Sequence, residues 1–219
     1  MFTEIEKLRP ALTDLGFTLR DPWDVVDAFE QLLAKYAGSR YAVALDNCTN
    51  ALFLCLKYLK ASGEITVPAR TYVSVPQTIL HAGCQVRFRD EEWQGVYRLD
   101  PFPVIDGAAR FRREMYVPGS FHCLSFHIKK ILPIGKGGMI LTDDAQARHW
   151  FRLARYEGRD LAVPYDQDLI SMLGWNMYMP PEQAARGIAL FLALGDDNPD
   201  CGGSSKYPDL RAMPLFAGV

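Results

Sequence analysis

The sequence predicts an α/β fold, a mostly parallel sheet covered by helices on both faces. Three observations carry that expectation. Short apolar runs alternate with segments of helical periodicity along most of the chain. At 49% apolar and 23% charged residues, the composition is that of a folded protein with a core to bury. The length of 219 residues suits one domain of this class.

The elements follow in order. Asp21-Pro22 opens a helix whose inner face carries Val25, Val26, Phe29, Leu32 and Leu33, and Gly38 stops it. Tyr41–Leu45 reads as a strand, Asp46–Asn50 as a polar turn, and Ala51 to about Lys60 as an apolar helix. Ile65–Val67 is a second strand closed by Pro68, Tyr72–Ala82 a helix broken by Gly83, and Gln85–Phe88 a third strand. Pro103-Val104-Ile105 runs into Asp106-Gly107, a strand ending on a carboxylate. Cys123–His127 and Met139–Thr142 are two further strands joined by a Gly-rich turn. Asp143 or Asp144 caps an amphipathic helix with Trp150, Phe151 and Leu153, and a last helix follows Pro180-Pro181. After about Gly195 the polar, Gly-rich text predicts a loosely ordered tail over 196–219, set apart from a domain over 1–195.

Composition narrows the function. Lys and Arg number 24 against 26 Asp and Glu, a net charge of −2, and no basic block suggests a nucleic-acid partner. No apolar run is long enough for a membrane span. The acidic start Met1–Glu6 lacks the order of a signal peptide, and five widely spaced cysteines form no Cys-x-x-Cys pair. A cytoplasmic location is the expectation. The four histidines make no ligand pair with each other or with the cysteines, so no metal site is expected.

In an open parallel sheet the ligand lies beyond the carboxyl ends of the strands. The polar residues there are Asp46–Asn50, Arg70-Thr71-Tyr72, Asp106 and His127–Lys130. Thr49 at a helix start suits a phosphate, or simply caps the helix. Asp106 is either a functional carboxylate or half of an Asp-Gly turn. Either Lys129 or Lys130 can supply an amine. Gly135-Lys136 is no P-loop, lacking the upstream glycine and the following Ser/Thr, and no Gly-x-Ser-x-Gly elbow occurs.

Together, in this order, these segments resemble the DegT/DnrJ/StrS family of pyridoxal-phosphate-dependent sugar aminotransferases, which have the aspartate-aminotransferase fold. Ser125-Phe126-His127-Ile128-Lys129-Lys130 with Gly135-Lys136-Gly137-Gly138 is similar to its Ser-Phe-His-x-x-Lys…Gly-Glu-Gly-Gly signature. Tyr41–Leu52, Val67–Ser74, Val104–Ala108 and Gly174–Met179 with Gln183-Ala184-Ala185 resemble four further family segments. The likeness runs from about Val25 to Phe191.

The resemblance implies a three-layer α/β/α sandwich, the cofactor-binding large domain of these enzymes, over 1–195. Its spacing selects Lys130 for the Schiff base with the cofactor aldehyde and for later acid/base work. It implies that Asp106 pairs with the pyridine nitrogen, that Tyr72 lies on the ring face, and that Cys48, Thr49 and Ser125 hold the phosphate. Asn176 would reach the phosphate of a neighbouring subunit, which implies a homodimer with shared sites. The implied reaction moves an amino group from glutamate to the keto group of a nucleotide-linked sugar.

Departures accompany the likeness. The 16 positions from Asp90 to Asp106 are fewer than the family uses for an extra strand and helix, and the chain carries little beyond the Gln183–Ala185 helix, where the family has a small domain. Cys48 replaces a glycine, Asn50 a small residue, Ala109 a Gln or His, and Tyr178 an arginine. Two other readings follow from them: a pyridoxal-phosphate enzyme acting on another keto substrate, and a non-catalytic shortened homologue acting as a dimerising partner.

Overall fold

The computed structural model describes residues 3–195 and 197–218. The elements are helices α1 (Thr3–Asp14) and α2 (Trp23–Ala37), strand β1 (Tyr41–Leu45), α3 (Cys48–Tyr58), β2 (Glu64–Pro68), α4 (Ser74–His81), β3 (Gln85–Arg89), β4 (Tyr97–Leu99), β5 (Val104–Asp106), β6 (Phe121–Ser125), β7 (Gly138–Thr142), α5 (Ala145–Ala154) and α6 (Pro181–Leu192).

Local chemistry sets the helix ends. The Asp21 carboxylate accepts the Trp23 N–H, as the Asp-Pro start predicts. Gly38 ends α2 at φ +80° and returns its N–H to Ala34 O, a left-handed turn that glycine makes at no steric cost. Of the two candidate caps for α5 it is Asp144 that accepts the N–H groups of Gln146 and Ala147. Helix α3 begins at Cys48 with Asn47 as its cap, three residues earlier than the apolar pattern suggests.

Five strands form a sheet in the order β1-β7-β6-β5-β4, and β2 and β3 form a parallel pair. Thr66 N donates to Asp100 O at 2.8 Å and Asp100 N to Thr66 O at 3.1 Å, which ties β2 to the residue after β4. Residues alternate between two apolar layers: Ala42, Ala44, Leu124, Met139 and Leu141 face α1, α2 and α6, while Val43, Leu45, Cys123 and Ile140 face α3, α4 and α5. The three-layer α/β/α arrangement follows.

Two expectations need correction. The sheet is mixed: β5–β6 and β2–β3 pair in parallel, but β1–β7, β6–β7 and β4–β5 pair antiparallel. Only Asp100–Pro103 separate β4 from β5, far fewer residues than a parallel crossover requires, so β4 runs back as a hairpin partner. The stretch after Gly195 also differs from a loose tail. Its described residues form 3-10 turns at Ser204–Lys206, Leu210–Ala212 and Pro214–Phe216, and they bury Leu210 and Phe216. The Phe216 ring meets Phe88 at 5.4 Å, and Leu210 N donates to Ala69 O at 2.9 Å. Helix α1 and strand β4 went unread in the sequence, the first because Arg9 and Pro10 interrupt its apolar face, the second because it is three residues long.

Candidate functional site

Strand β5 delivers Asp106 to the end of the sheet as a buried carboxylate. Its Oδ2 accepts from the Tyr97 hydroxyl at 2.6 Å and its Oδ1 from the Ala108 N–H at 2.9 Å. Burial raises its pKa above the ordinary carboxylate value, against those two hydrogen bonds and the positive charge of Lys130. Burial likewise pushes the Cys48 thiol well up, with Asp106 and Cys123 adding to the effect and Lys130 opposing it. Asp106, Cys48 and Lys130 therefore share one electrostatic neighbourhood.

Beyond β6 the chain turns, and Lys130 N donates to His127 O at 2.8 Å. Lys130 is half-buried while Lys129 is exposed, so the two lysines the sequence left open occupy different surroundings. Ser125, half-buried at the end of β6, accepts the His127 N–H at 3.4 Å. Thr49 lies in the first turn of α3, and its Oγ1 sits 2.8 Å from Ser74 Oγ in the first turn of α4. First-turn N–H groups have no carbonyl within their own helix, so two helix starts and two hydroxyls converge here. Gly138 lets β7 approach this corner: a Cβ there would stand 2.3 Å from Asn47 C and 2.5 Å from Cys48 N. Tyr72 is 58% exposed, its ring 6.4 Å from that of Tyr207.

Asn176 is not brought to this group. Its Nδ2 donates to Glu157 Oε1 at 2.5 Å, and it lines a separate cleft of about 200 Å³ with Asp46, Lys136, Tyr178, Pro180 and Gln183. Arg155 is buried in an ion pair with Glu30 and donates to Ala44 O at 2.7 Å. Arg110 forms a two-pronged pair with Asp200 at 2.6 and 2.8 Å. Both serve the fold.

Pyridoxal phosphate, which the resemblance implies, fits the residues present. Asp106 is a buried carboxylate whose hydrogen-bond donors are both neutral, and each oxygen keeps a lone pair for a ring N–H. A protonated pyridine would supply the countercharge that desolvation calls for. Lys130 offers an amine, Thr49 and Ser74 offer hydroxyls in first helical turns, Ser125 offers one at the end of β6, and Tyr72 offers an open aromatic face. Sequence reasoning missed Tyr97 and the role of Thr71 beside it; the alternation of Tyr97-Arg98-Leu99 is the signal that points to a strand with Tyr97 facing inward.

The family model described as the DegT/DnrJ/EryC1/StrS aminotransferase family matches residues 9–101 and 113–196. The spore coat polysaccharide biosynthesis protein SpsC of Bacillus subtilis (strain 168) is 31% identical over 145 residues, covering 65% of this chain and 36% of that protein. GDP-perosamine synthase of Caulobacter vibrioides is 26% identical over 205 residues, covering 74% and 54%. The chain thus spans about half or less of the length of these relatives. A solved DegT DnrJ EryC1 StrS aminotransferase from Brucella abortus superposes with a TM-score of 0.67 at 19% identity, over 89% of this chain and 64% of that one, a likeness of fold. These comparisons indicate pyridoxal phosphate as the cofactor. With 177 of 219 residues inside the two matched stretches (93 in 9–101 and 84 in 113–196), this chain belongs to the DegT/DnrJ/EryC1/StrS aminotransferase family.

Proposed function

We propose that this chain is a pyridoxal-phosphate-dependent aminotransferase that moves an amino group from glutamate to the keto group of a nucleotide-linked sugar. The observation that carries the reading is the buried Asp106 carboxylate within electrostatic reach of the half-buried Lys130, with Lys129 exposed. The bound cofactor supplies an electron-accepting ring and an aldehyde that takes up the amino group. Lys130 Nζ holds that aldehyde at rest and moves the proton at the substrate carbon once displaced, a role for which a lysine amine can be tuned. Asp106 keeps a proton on the ring nitrogen. The hydroxyls of Thr49, Ser74 and Ser125 and the first-turn N–H groups of α3, beginning at Cys48, bind the phosphate, and Tyr72 lies against the ring face and excludes water.

The reading includes a homodimer in which Asn176 completes the partner's site. Exposed apolar side chains in the segment before it in sequence, Tyr165, Leu169 at 91% and Leu173 at 90% exposure, support a covering subunit. Four buried free thiols suit a cytoplasmic location. No helix among the described residues is long and apolar enough to cross a membrane.

The test is a visible spectrum of the purified protein with added pyridoxal phosphate, followed by borohydride reduction and peptide mass analysis. A yellow protein with the adduct on Lys130, bleached by glutamate, is the expected result. A colourless protein without adduct would sink the enzyme reading in favour of a non-catalytic dimerising partner. The replacement of the family arginine by Tyr178 and the short Asp90–Asp106 stretch are what favour that second reading.

A further inference from the structure

Strand β4, reversed by its short connection to β5, brings Tyr97 to Asp106. From this geometry we infer that Tyr97 is a positioning residue, fixing the Asp106 carboxylate for the cofactor ring nitrogen through a Thr71–Tyr97–Asp106 hydrogen-bond chain. The inference rests on the proposed role of Asp106 toward that ring.

The direction of the chain is set by proton counting. Tyr97 has one hydroxyl hydrogen and two polar neighbours, Asp106 Oδ2 at 2.6 Å and Thr71 Oγ1 at 2.5 Å. An ionised carboxylate only accepts, so the phenol hydrogen goes to Asp106 and the Thr71 hydroxyl donates into the phenol oxygen. All three side chains are buried, where each such bond is stronger than in water and an unmade one is costly. With the Ala108 N–H on the other oxygen, both ends of the carboxylate are pinned and its plane is fixed. Both donors are neutral, so they orient the charge without cancelling it. An arginine or lysine at position 97 would remove the reason for the ring nitrogen to stay protonated.

The phenol is itself held. The Tyr97 ring centroid lies 4.7 Å from that of Trp93, whose indole N–H donates to Arg70 O at 2.9 Å. Trp93 stacks on Tyr207 at 5.9 Å and 22°, and its carbonyl accepts the Ser204 N–H at 3.0 Å. The C-terminal turn therefore backs the residue that backs Asp106. The other ionisable groups near the carboxylate are Lys130, Cys48 of α3, Cys123 of β6 and Tyr207.

The experiment follows the Asp106 carboxyl titration by carbon NMR in the full, cofactor-free chain labelled at aspartate, with Asp106→Asn giving the assignment. Pyridoxal phosphate affinity is measured in parallel by fluorescence. In Tyr97→Phe, which keeps the ring, the Asp106 midpoint moves up, because the bond that favours the ionised form is gone, and cofactor affinity falls about tenfold. Thr71→Val moves the midpoint in the same direction by less. A Tyr97→Phe protein that leaves the Asp106 midpoint unmoved overturns the inference whatever its unfolding temperature, since a merely structural tyrosine would at most lower stability and not move a carboxylate titration. If Asp106→Asn binds pyridoxal phosphate as tightly as the parent, it is the role of Asp106 toward the ring that falls, a failure separate from that of Tyr97.

Discussion

The two halves of the sheet are built differently. On the β1–β7–β6 side, buried apolar layers carry the structure, and the buried ion pair among the described residues there is Glu30–Arg155, each side chain 4% exposed. On the β4 side, strands of three residues are held by polar ties and stacked rings: Thr71–Tyr97–Asp106, Arg110–Asp200, Cys201 N to Ala109 O at 2.9 Å, and the Trp93–Tyr207 stack. The second side carries the short Asp90–Asp106 stretch and Ala109, while Tyr178, another departure, bridges to Leu45 of β1 on the first. The difference teaches that an edge strand turned back by a short connection is held by polar ties and ring stacking where a wide apolar layer is lacking.

The largest effect expected is all-or-none. Lys130→Ala abolishes the covalent cofactor link and Lys129→Ala leaves it, read by borohydride trapping and mass analysis; the opposite pattern would show the motif misplaced by one residue. The next is a stability change. Glu30 accepts from Ala44 N at 2.8 Å and pairs with Arg155, so Glu30→Ala leaves a buried guanidinium without its carboxylate. A loss of about 3–5 kcal/mol in denaturant unfolding is expected. Replacing both partners at once, Glu30→Leu with Arg155→Met, recovers most of it; a double variant as weak as the single one would contradict the desolvation argument.

Legibility in the sequence divides along the same line. Apart from β4, the strand and helix order from Val25 to Phe191 could be read because apolar runs and end signals such as Asp21 and Gly38 are local. The ordered signature residues made Lys130 and Asp106 stand out. Strand direction was not legible, because it depends on the length of a connection and not on the residues of the strand. The fate of 197–218 was hidden for a related reason: its composition is polar, and what folds it is Arg110, some ninety residues away, together with the sites that Leu210 and Phe216 fill. The burial of Arg155 was not legible because its partner Glu30 lies on a different helix, 125 positions away in sequence.

The third effect tests the boundary between the halves. His122 on β6 is buried, and neither ring nitrogen has a hydrogen-bond partner among the described residues. Burial, then the nearby Arg110 charge, lowers its pKa from 6.5 to about 4. Between these values the unfolded chain binds a proton that the folded chain refuses, so stability falls as pH drops from about 6.5 to about 4. The fall amounts to about 3 kcal/mol at its fullest. Unfolding measured at pH 7 and 4.5 shows it, and His122→Leu flattens it; an equal slope in the variant would assign the acid sensitivity elsewhere.

The smallest effect is the most local. Arg110 reaches Asp200 with two hydrogen bonds at an edge where Asp200 is nearly buried and Arg110 partly so. That pair lowers the Asp200 pKa below its ordinary value, so its contribution is present near neutral pH and is lost as acid protonates the carboxylate. Arg110→Ala therefore costs about 1–2 kcal/mol near neutral pH. The loss falls on the β4 side first: hydrogen exchange should quicken at Cys201 and Ser204, whose N–H groups donate to Ala109 and Trp93, while the amides of β7 keep their protection. Uniform quickening across both sides would mean that the sheet opens as one unit, and that the polar edge and the apolar layers, however differently built, are a single cooperative structure.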